Sequence, residues 1–348
     1  MGTLDPEFIS KLSLSPDHAA TLKKLGEYKG KYGSIEGEFS VLLDELKKLA
    51  KIESIESSNR LEGIIVEHSR IEEISLRSSA LRGRSEQEVA GYRDALDMIH
   101  TNFEDMELHL ALIRDIHEMI FSYTPIKGGS WKKRDNFIIE RAPEGSRIRF
   151  KPVSAGETPA MMDRLMSEWN MSYSLDIEPL ITIPIFMLDL LCVHPFPDGN
   201  GRVSRLVSLF LLYRSGFNVG RYISLERIAE ESKVGYYNTL YVSSQGWHQG
   251  KANVIPWLEY FWGTLLRAYK ELEERLATMS GKKGEKGVRI RRTALSFEEP
   301  FSISELHEVC PDVSRDMVRF VIREMRDDGL LVATGVGRGA KWMRSGNK

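Results

Sequence analysis

The stretch His194-Pro-Phe-Pro-Asp-Gly-Asn-Gly-Arg-Val-Ser-Arg205 decides how this chain is interpreted. Its two prolines lack backbone N–H groups and disfavour a helical residue before them, so the stretch begins as a loop. Gly199 and Gly201 allow positive φ angles and a close approach of backbone N–H groups to an anion. The apolar run Val203 to Leu212 predicts that a helix follows. An anion is therefore expected at the N-terminus of that helix.

The side chains of this stretch suit a polyphosphate. Arg202 and Arg205 are three positions apart and share one face of the predicted helix, so both guanidiniums can reach the same ligand. Asp198 offers the carboxylate oxygen that Mg²⁺ prefers. His194 has an unperturbed pKa of about 6.5 and can take a proton from a hydroxyl near pH 7, which makes it the candidate general base. A P-loop is excluded because Gly-Lys-Ser/Thr is missing from this stretch.

These residues resemble the signature of the Fic (filamentation induced by cyclic AMP) family, His-x-Phe-x-Asp/Glu-Gly-Asn-Gly-Arg-x-x-Arg, at every specified position. The resemblance implies a mainly α fold and transfer of AMP from ATP to a Ser, Thr or Tyr hydroxyl of a target protein or of the chain itself. It implies that His194 is the base, that Asp198 holds Mg²⁺ at the α- and β-phosphates, and that Phe196 anchors the loop in the core. The residues expected to bind ATP through its phosphates are Gly199, Asn200, Gly201, Arg202 and Arg205. The related death-on-curing kinases have a lysine in this loop and lack the second glycine, which makes phosphate transfer the less favoured reaction.

A second element, Ser57-Ser-Asn-Arg-Leu-Glu-Gly63, is similar to the inhibitory motif Ser/Thr-x-x-x-Glu-Gly/Asn of the same family. Ser58, Glu62 and Gly63 occupy its specified positions, on a helix expected over about residues 57–74. The resemblance implies that Glu62 pairs with Arg205 and forces ATP into an unreactive pose. A charge-assisted pair contributes roughly 1.5 to 3 kcal/mol, enough to suppress the competent state about tenfold to a hundredfold.

Length and composition are those of an ordinary enzyme. A chain of 348 residues predicts two or three domains, and a net charge of −2 indicates no general preference for polyanions. Cys192 and Cys310 form no CxxC motif, so structural zinc and a disulfide framework are not expected, and a reducing, cytoplasmic setting is. The apolar run Ile181 to Val193 is too short to span a membrane. The opening Met1 to Phe8 looks like vector-derived sequence rather than a targeting signal.

The apolar periodicity divides the chain into four parts. Residues 1–95 are expected to be a helical region that carries the inhibitory helix, and residues 96–276 resemble the helical Fic core. A polar, glycine-rich linker is expected over 277–288, before a small domain at 289–348. The helices expected in the core are Met106 to Ser122, Ile181 to Val193, Val203 to Ser215 and Val254 to Arg275.

Two β-type runs interrupt the helical core. The residues Asn136, Phe137, Ile138 and Ile139 form the first, and Arg147 to Phe150 form the second, so a hairpin is expected. In the family this hairpin is a flap, whose edge pairs with an extended segment of the target. Further along, Tyr237 is expected to stack on the adenine of ATP, in preference to Tyr236.

The last part predicts a winged helix. Ser302 and Glu305 form a capping box before one helix, and Ser314 precedes a second. Strands are expected at Leu330 to Thr334 and Ala340 to Met343. The 14 Lys/Arg and 10 Asp/Glu residues from Gly281 onward give this part a charge of +4 (14 − 10). The second helix carries an outer stripe of arginines, which suits DNA or a protein partner: Arg315, Arg319, Arg323 and Arg326.

Three hypotheses follow. The favoured one is a protein adenylyltransferase restrained by Glu62. The second is a DNA-binding regulator whose Fic core senses nucleotide. The third is another phosphotransfer in the same fold, such as phosphorylation, transfer from UTP or GTP, or removal of AMP from a modified target. The sequence leaves open the identity of the target, the signal that releases Glu62, and whether the chain forms a homo-oligomer.

Overall fold

The computed structural model describes residues 2–33, 40–142, 145–279, 282–297, 299–311, 313–335 and 340–345. The described residues are mainly α-helical, with two antiparallel two-stranded sheets, which confirms the predicted fold class. The chain divides into two compact units, Met1–Leu272 and Glu273–Lys348. Within the described part of the chain, no helix combines the length and the apolar character needed to cross a membrane.

The first unit contains the signature stretch. Its N-terminal helices are α1 (Pro6–Ser10), α2 (Pro16–Tyr32), α3 (Ser40–Leu61), α4 (His68–Ser75) and α5 (Gly83–Asn102). The core follows, with α6 (Leu110–Phe121), strands β1 (Ile138–Ala142) and β2 (Gly145–Phe150), α7 (Thr158–Ser174), α8 (Pro179–Val193), α9 (Asn200–Arg214), α10 (Leu225–Glu231), α11 (Lys233–Ser244) and α12 (Ile255–Met279), of which residues 255–272 belong to this unit.

Helix α8 lies in the centre of this unit because it is apolar around nearly its whole circumference. Pro184 lies inside the helix and cannot donate the hydrogen bond that the carbonyl of Leu180 would accept. The indole Nε1 of Trp262 donates to that carbonyl instead, at 2.6 Å. The interior proline therefore leaves no unpaired carbonyl at Leu180, and α8 continues to the signature loop.

The N-terminal residues belong to the packed core of the first unit. Thr3 and Leu4 are fully buried. The backbone N–H groups of Thr3 and Leu4 donate to Oδ2 of Asp189 at 2.8 and 2.9 Å, and the Thr3 hydroxyl donates to Oδ1 at 2.5 Å. Trp247 Nε1 adds a fourth donor at 2.5 Å. Because Asp189 is a buried residue of α8, these donors stabilise the helix that leads to the signature loop.

The inhibitory element is not one helix over residues 57–74. Helix α3 ends at Leu61, and the chain turns at Gly63, whose φ is 81°. Helix α4 begins only at His68. Ser58 is therefore helical, whereas Glu62 lies in the turn directly after α3, where its side chain reaches away from the helix axis.

The hairpin begins later than predicted. Strand β1 starts at Ile138, so Asn136 and Phe137 precede the sheet. The two strands pair antiparallel, with Ile139 opposite Ile148. The residues that join them, 143–144, lie outside the described residues.

The second unit contains α13 (Lys282–Ser296), α14 (Ile303–Val309), α15 (Arg315–Asp327) and strands β3 (Leu331–Thr334) and β4 (Lys341–Arg344). The predicted capping box at Ser302 and the predicted N-cap at Ser314 are both present. Phe301 forms a β-bridge with Trp342 beside the hairpin of β3 and β4. Residues 336–339 of the expected glycine loop lie outside the described residues.

The segment 277–288 is not the glycine-rich loop that its composition predicts. Helix α12 continues to Met279, and α13 begins at Lys282. Ile290 and Ala294 of α13 are buried in the apolar core of the second unit. Tertiary packing of this amphipathic helix therefore outweighs the low helix propensity of its glycines.

Candidate active site

The signature stretch forms the connection between α8 and α9, with His194 at the C-cap of α8. The φ of His194 is 51°, a left-handed conformation that is uncommon for a residue with a β-carbon. Its backbone N–H still donates to the carbonyl of Leu190 at 2.9 Å. Strained backbone of this kind persists where the surroundings fix it, and it turns the chain sharply out of α8 at the histidine.

The loop is closed by the side chain of Asn200. Its Oδ1 accepts from the backbone N–H of Phe196 at 2.9 Å, and its Nδ2 donates to the carbonyl of the same residue at 2.8 Å. The ring of Phe196 is fully buried and stacks on His117, with a centroid distance of 3.8 Å. Phe196 thus anchors the loop in the core, as expected, and Asn200 holds the loop in shape with its side-chain amide.

Two residues upstream of the signature brace the same loop. Asn136 Nδ2 donates to the carbonyl of Phe196 at 3.0 Å, and its Oδ1 accepts from Lys132 Nζ at 2.9 Å. Lys132 Nζ also donates to the carbonyl of Val193 at 3.0 Å. Burial lowers the pKa of Lys132 to about 8. Asn136, which the sequence places in the target-binding flap, therefore contacts the signature loop, and Lys132 was not found by sequence reasoning.

His117 of α6 is a third brace that the sequence analysis missed. Its Nδ1 accepts from the backbone N–H of Gly129 at 2.8 Å, so its Nε2 carries the proton and donates to the carbonyl of Asp198 at 3.0 Å. Burial lowers the pKa of His117 to about 4, which keeps the ring neutral and this donor direction fixed. The backbone of Asp198 is thereby tied to α6.

His194 has the protonation state of a base. Its Nδ1 lies 3.2 Å from the carbonyl of Leu191, so Nδ1 is the donor and the Nε2 lone pair is free to accept a proton. Burial, the largest influence, lowers the pKa of His194 to about 4. The imidazole is therefore neutral at physiological pH.

A cavity of about 240 Å³ opens in front of this histidine. One wall comes from the hairpin and another from α11, and apolar side chains of α8 form the floor. Several polar groups and one close stretch of backbone reach its wall from separate parts of the chain, among them Glu62, His194, Gly201, Arg205 and Tyr237. A predominantly apolar pocket with a few convergent polar groups is the usual form of a small-molecule site.

Glu62 and Arg205 form the ion pair that the resemblance leads us to expect. Arg205 Nη2 lies 2.8 Å from Glu62 Oε1 and 2.9 Å from the carbonyl of Ser58, and Arg205 Nε donates to Ser58 Oγ at 2.9 Å. Burial works to lower the pKa of Arg205, but Glu62 and neighbouring tyrosines raise it overall. The guanidinium is therefore a permanent cation. Its hydrogen-bond partners, Ser58 and Glu62, lie on α3 or directly after it.

The carboxylate of Glu62 also lies against Gly201. A β-carbon on Gly201 would collide with Glu62 Oε1 and would lie 3.1 Å from Arg205 Nη1. Gly201 is in the first turn of α9, where unpaired backbone N–H groups favour an anion. The glutamate thus occupies an anion position at the helix N-terminus.

The remaining signature residues point elsewhere. The guanidinium of Arg202 is buried and pairs with Glu88 Oε2 at 2.7 Å, so it does not line the cavity. The Asp198 carboxylate is 59% exposed and accepts from the backbone N–H of Gly199, whose φ of 77° only glycine adopts readily. Among the described residues, no cluster of three His, Cys, Asp or Glu side chains could hold a metal ion by itself.

Tyr237 contacts the residue before Glu62. Its hydroxyl donates to the carbonyl of Leu61 at 2.9 Å, and its ring lies on the cavity wall. The adjacent Tyr236 is 3% exposed and packs edge-on against Trp257. Both tyrosines line the cavity, Tyr236 from a buried position and Tyr237 beside the turn that carries Glu62.

The chain is similar in sequence to known proteins. Residues 107–212 match the family model described as Fic/DOC family. The chain is 23% identical over 264 residues to Protein adenylyltransferase Fic of Drosophila willistoni, covering 70% of this chain and 50% of that protein. It is 25% identical over 214 residues to the Drosophila ananassae protein of the same name, covering 60% and 40%. The chain thus spans about half the length, or less, of these curated relatives.

Solved structures share the fold. A Fic family protein from Desulfovibrio desulfuricans G20 aligns with a TM-score of 0.63 at 20% identity, covering 97% of this chain and 98% of that one. Fic-1 from C. elegans aligns with a TM-score of 0.60 at 19% identity, covering 75% and 72%. These likenesses show that the chain shares the fold of Fic family structures, and residues 107–212 are the part that matches the Fic/DOC family model.

Proposed function

We propose that this chain is a protein adenylyltransferase, which transfers AMP from ATP to a Ser, Thr or Tyr hydroxyl of a target protein or of itself. The observation that carries the proposal is the position of Glu62. A carboxylate lies on Gly201 and Arg205, the place that a phosphate group would take, within the same cavity as the neutral His194. The names of the curated relatives support the reaction type.

His194 acts as the general base. Its Nε2 accepts the proton of the target hydroxyl, and the hydroxyl oxygen forms a bond to the α-phosphorus of ATP. The bond from the α-phosphorus to the bridging oxygen breaks, and pyrophosphate leaves. Because the buried ring of His194 is neutral, no proton has to be lost before it can act. The N-terminal amides of α9 and the guanidinium of Arg205 hold the phosphates.

Asp198 suits Mg²⁺ as a single protein ligand. Mg²⁺ usually keeps several waters and takes only one or two carboxylates besides substrate phosphates. The carboxylate of Asp198 is exposed, and its backbone is held by His117, which fits such a site. The ion would neutralise charge on the phosphates of the bound nucleotide.

Glu62 restrains this activity by occupying Arg205. Its displacement costs the charge-assisted pair, roughly 1.5 to 3 kcal/mol, because Arg205 is buried and has few other anions to bind. Productive binding of the terminal phosphates requires that Arg205 exchange one anion for another. The wild-type chain is accordingly mostly inactive, and a signal that removes Glu62 activates it.

The target is expected to bind at the hairpin. Strands β1 and β2 form a sheet of two strands beside the cavity, and Ile138 lies on the cavity wall. An extended segment that adds to such a sheet is held mainly by backbone hydrogen bonds. This arrangement would present a hydroxyl to the α-phosphate with little demand on the target's side chains.

Labelled ATP tests the proposal. The Glu62→Gly variant is expected to label itself from ATP that carries the label on the α-phosphate and not from ATP labelled on the γ-phosphate. Adding His194→Ala should abolish the labelling, and Glu67→Gly, an exposed glutamate that lies a few residues further on, serves as the matched control. Label from the γ-phosphate would instead identify a kinase, and label from UTP or GTP alone another nucleotidyl transfer. Release of AMP from an AMP-modified target would identify the reverse activity.

A second function is favoured by α15, whose outer arginines Arg315, Arg319, Arg323 and Arg326 are all exposed. We propose that this face binds a polyanion such as DNA. Arg319 and Arg326 also pair with Asp316 and Asp327, which weakens the positive field. Binding of the full chain to duplex DNA should fall steeply with salt and be lost in Arg319→Glu/Arg323→Glu. Unchanged binding in that variant would exclude this face, and an absence of any binding would favour a protein partner.

A further inference from the structure

Two residues of α5 extend the signature. Glu88 is buried and bonds two arginines, Arg202 Nη1 through Oε2 at 2.7 Å and Arg84 Nε through Oε1 at 2.7 Å. The Nη2 atom of Arg84 lies 3.7 Å from Oδ2 of Asp198. The four side chains thus alternate in charge from the buried Arg202 to the exposed Asp198, and the two middle ones lie outside the signature.

The burial of these arginines differs. The side chain of Arg202 is 1% exposed, whereas that of Arg84 is 60% exposed. Arg202 forms an ion pair with Glu88 and lies over the ring of Phe121, with its guanidinium carbon 5.2 Å from the ring centroid. Of the two arginines, Arg84 is therefore the one whose N–H donors are accessible to a ligand from solvent.

The dipole of α5, taken alone, disfavours a cation at the position of Arg84. Arg84 lies in the first turn of α5, where the helix dipole is positive. Glu88 offsets this, because its carboxylate bonds Arg84 Nε at 2.7 Å, and the four side chains together carry no net charge (2 − 2). An accessible guanidinium and the N-terminus of a helix both favour an anion at this place.

We propose that Arg84 is a third phosphate-binding arginine, held in place by Glu88, which bonds the phosphates of ATP at the end marked by Asp198. The inference rests on the proposed function. In the described state Arg84 neutralises Asp198, and when nucleotide binds, its exposed Nη donors take a phosphate oxygen. Glu88 is a positioning residue, because it fixes Arg84 without reaching the ligand.

The test measures binding rather than turnover, in the Glu62→Gly background so that the anion position is open. Calorimetry with ATP and with AMP in the presence of EDTA compares Arg84→Gln with Arg77→Gln. Arg77 is the matched control, since its side chain is 57% exposed and pairs with two carboxylates, Asp94 and Asp97. Arg84→Gln is expected to raise the Kd for ATP about tenfold and that for AMP less than twofold. Arg77→Gln should change neither, and Arg84→Lys should recover part of the loss.

Other outcomes overturn the inference. An unchanged Kd for ATP in Arg84→Gln means that Arg84 only neutralises Asp198. Equal losses for ATP and AMP mean that Arg84 supports the fold of the loop, which a lowered melting temperature would corroborate. Failure of the Glu62→Gly parent to bind ATP would remove the proposed function as well, whereas tight ATP binding with no effect of Arg84→Gln removes this inference alone.

Discussion

Glu62 Oε1 lies 2.8 Å from Arg205 Nη2, although the two residues are 143 positions apart in the chain. The contact closes the cavity in front of His194 with a carboxylate from the turn after α3. In the proposed reaction, the group that binds phosphate is thus held by a protein anion beforehand. Inhibition and catalysis therefore share one guanidinium, and this sharing determines which substitutions can activate the chain.

Removing Arg205 should not relieve inhibition. Arg205→Ala deletes the partner of Glu62, but it also deletes the cation that binds phosphate, so we expect Glu62→Gly/Arg205→Ala to label itself at least about tenfold less than Glu62→Gly. The measurement is the initial rate of self-labelling from α-labelled ATP. Arg214→Ala, on the same helix with its Nη1 bonded to the carbonyl of Glu104, is the control. A double variant as active as Glu62→Gly would show that Arg205 has no part in catalysis.

Tyr237→Phe should partly activate the wild-type chain. The substitution keeps the ring on the cavity wall and removes only the hydrogen bond from the hydroxyl to the carbonyl of Leu61, the residue before Glu62. One such bond contributes about 1 kcal/mol, so the rate of self-labelling should rise about fivefold. Tyr173→Phe, at an exposed tyrosine of α7, is the control and should have no effect. A fall in the rate for Tyr237→Phe alone would mean that the hydroxyl serves the nucleotide and not the inhibitory turn.

Thr3→Val should destabilise the first unit. Valine keeps the shape of the buried residue but cannot donate to Asp189 Oδ1, so the carboxylate loses one of its four donors. We expect the free energy of unfolding to fall by about 1 to 3 kcal/mol, measured by urea denaturation. Ser10→Ala, which removes an exposed hydroxyl bonded to the carbonyl of Glu7, should change it by less than about 0.5 kcal/mol. Equal effects of the two substitutions would contradict the role given to the N-terminal segment.

The sequence predicts the loop and the helix of the signature because both follow from local spacing. The prolines and glycines exclude a helix before Asn200, and the apolar run that follows favours one. The hairpin, the capping box at Ser302 and the N-cap at Ser314 are local in the same way, and the structure contains all three. Local rules fail at Gly63, where apolar periodicity suggests a continuous helix but the positive φ of the glycine ends it.

The partners of the signature could not be predicted in the same way. Arg202 is turned towards Glu88, and the loop is braced by His117 and Lys132, all more than sixty positions away from the residues they hold. Nothing in the spacing of Lys132 or Glu88 distinguishes them from the charged residues of an exposed helix face. What distinguishes them is burial, since a buried charge has to be paired, and burial depends on how the helices pack.

Lowering the pH should destabilise the first unit, because several of its histidines are buried in the neutral form. Burial lowers the pKa of His100 to about 3 and those of His117 and His194 to about 4, against about 6.5 in the unfolded chain. A base with a lowered folded pKa contributes stability that is complete above pH 6.5 and is lost as the pH falls towards 4. Asp189 acts in the opposite sense, because burial raises its pKa to about 6, so its protonation below pH 6 favours the folded state.

The unfolded chain therefore binds up to two more protons than the folded one between pH 6 and 5, three for the histidines less one for Asp189. The free energy of unfolding should fall by at most roughly 3 kcal/mol per pH unit in this range, measured by urea denaturation at pH 7.5, 6.5, 5.5 and 5.0. Above pH 6.5 it should be nearly constant with respect to these groups. His100→Gln removes one titrating ring and should make the slope gentler, since glutamine binds no proton in either state. A free energy that stays constant from pH 6.5 to 5.0 would mean that the three rings are not held neutral by burial, and would remove the ground for treating His194 as a base that is ready at neutral pH.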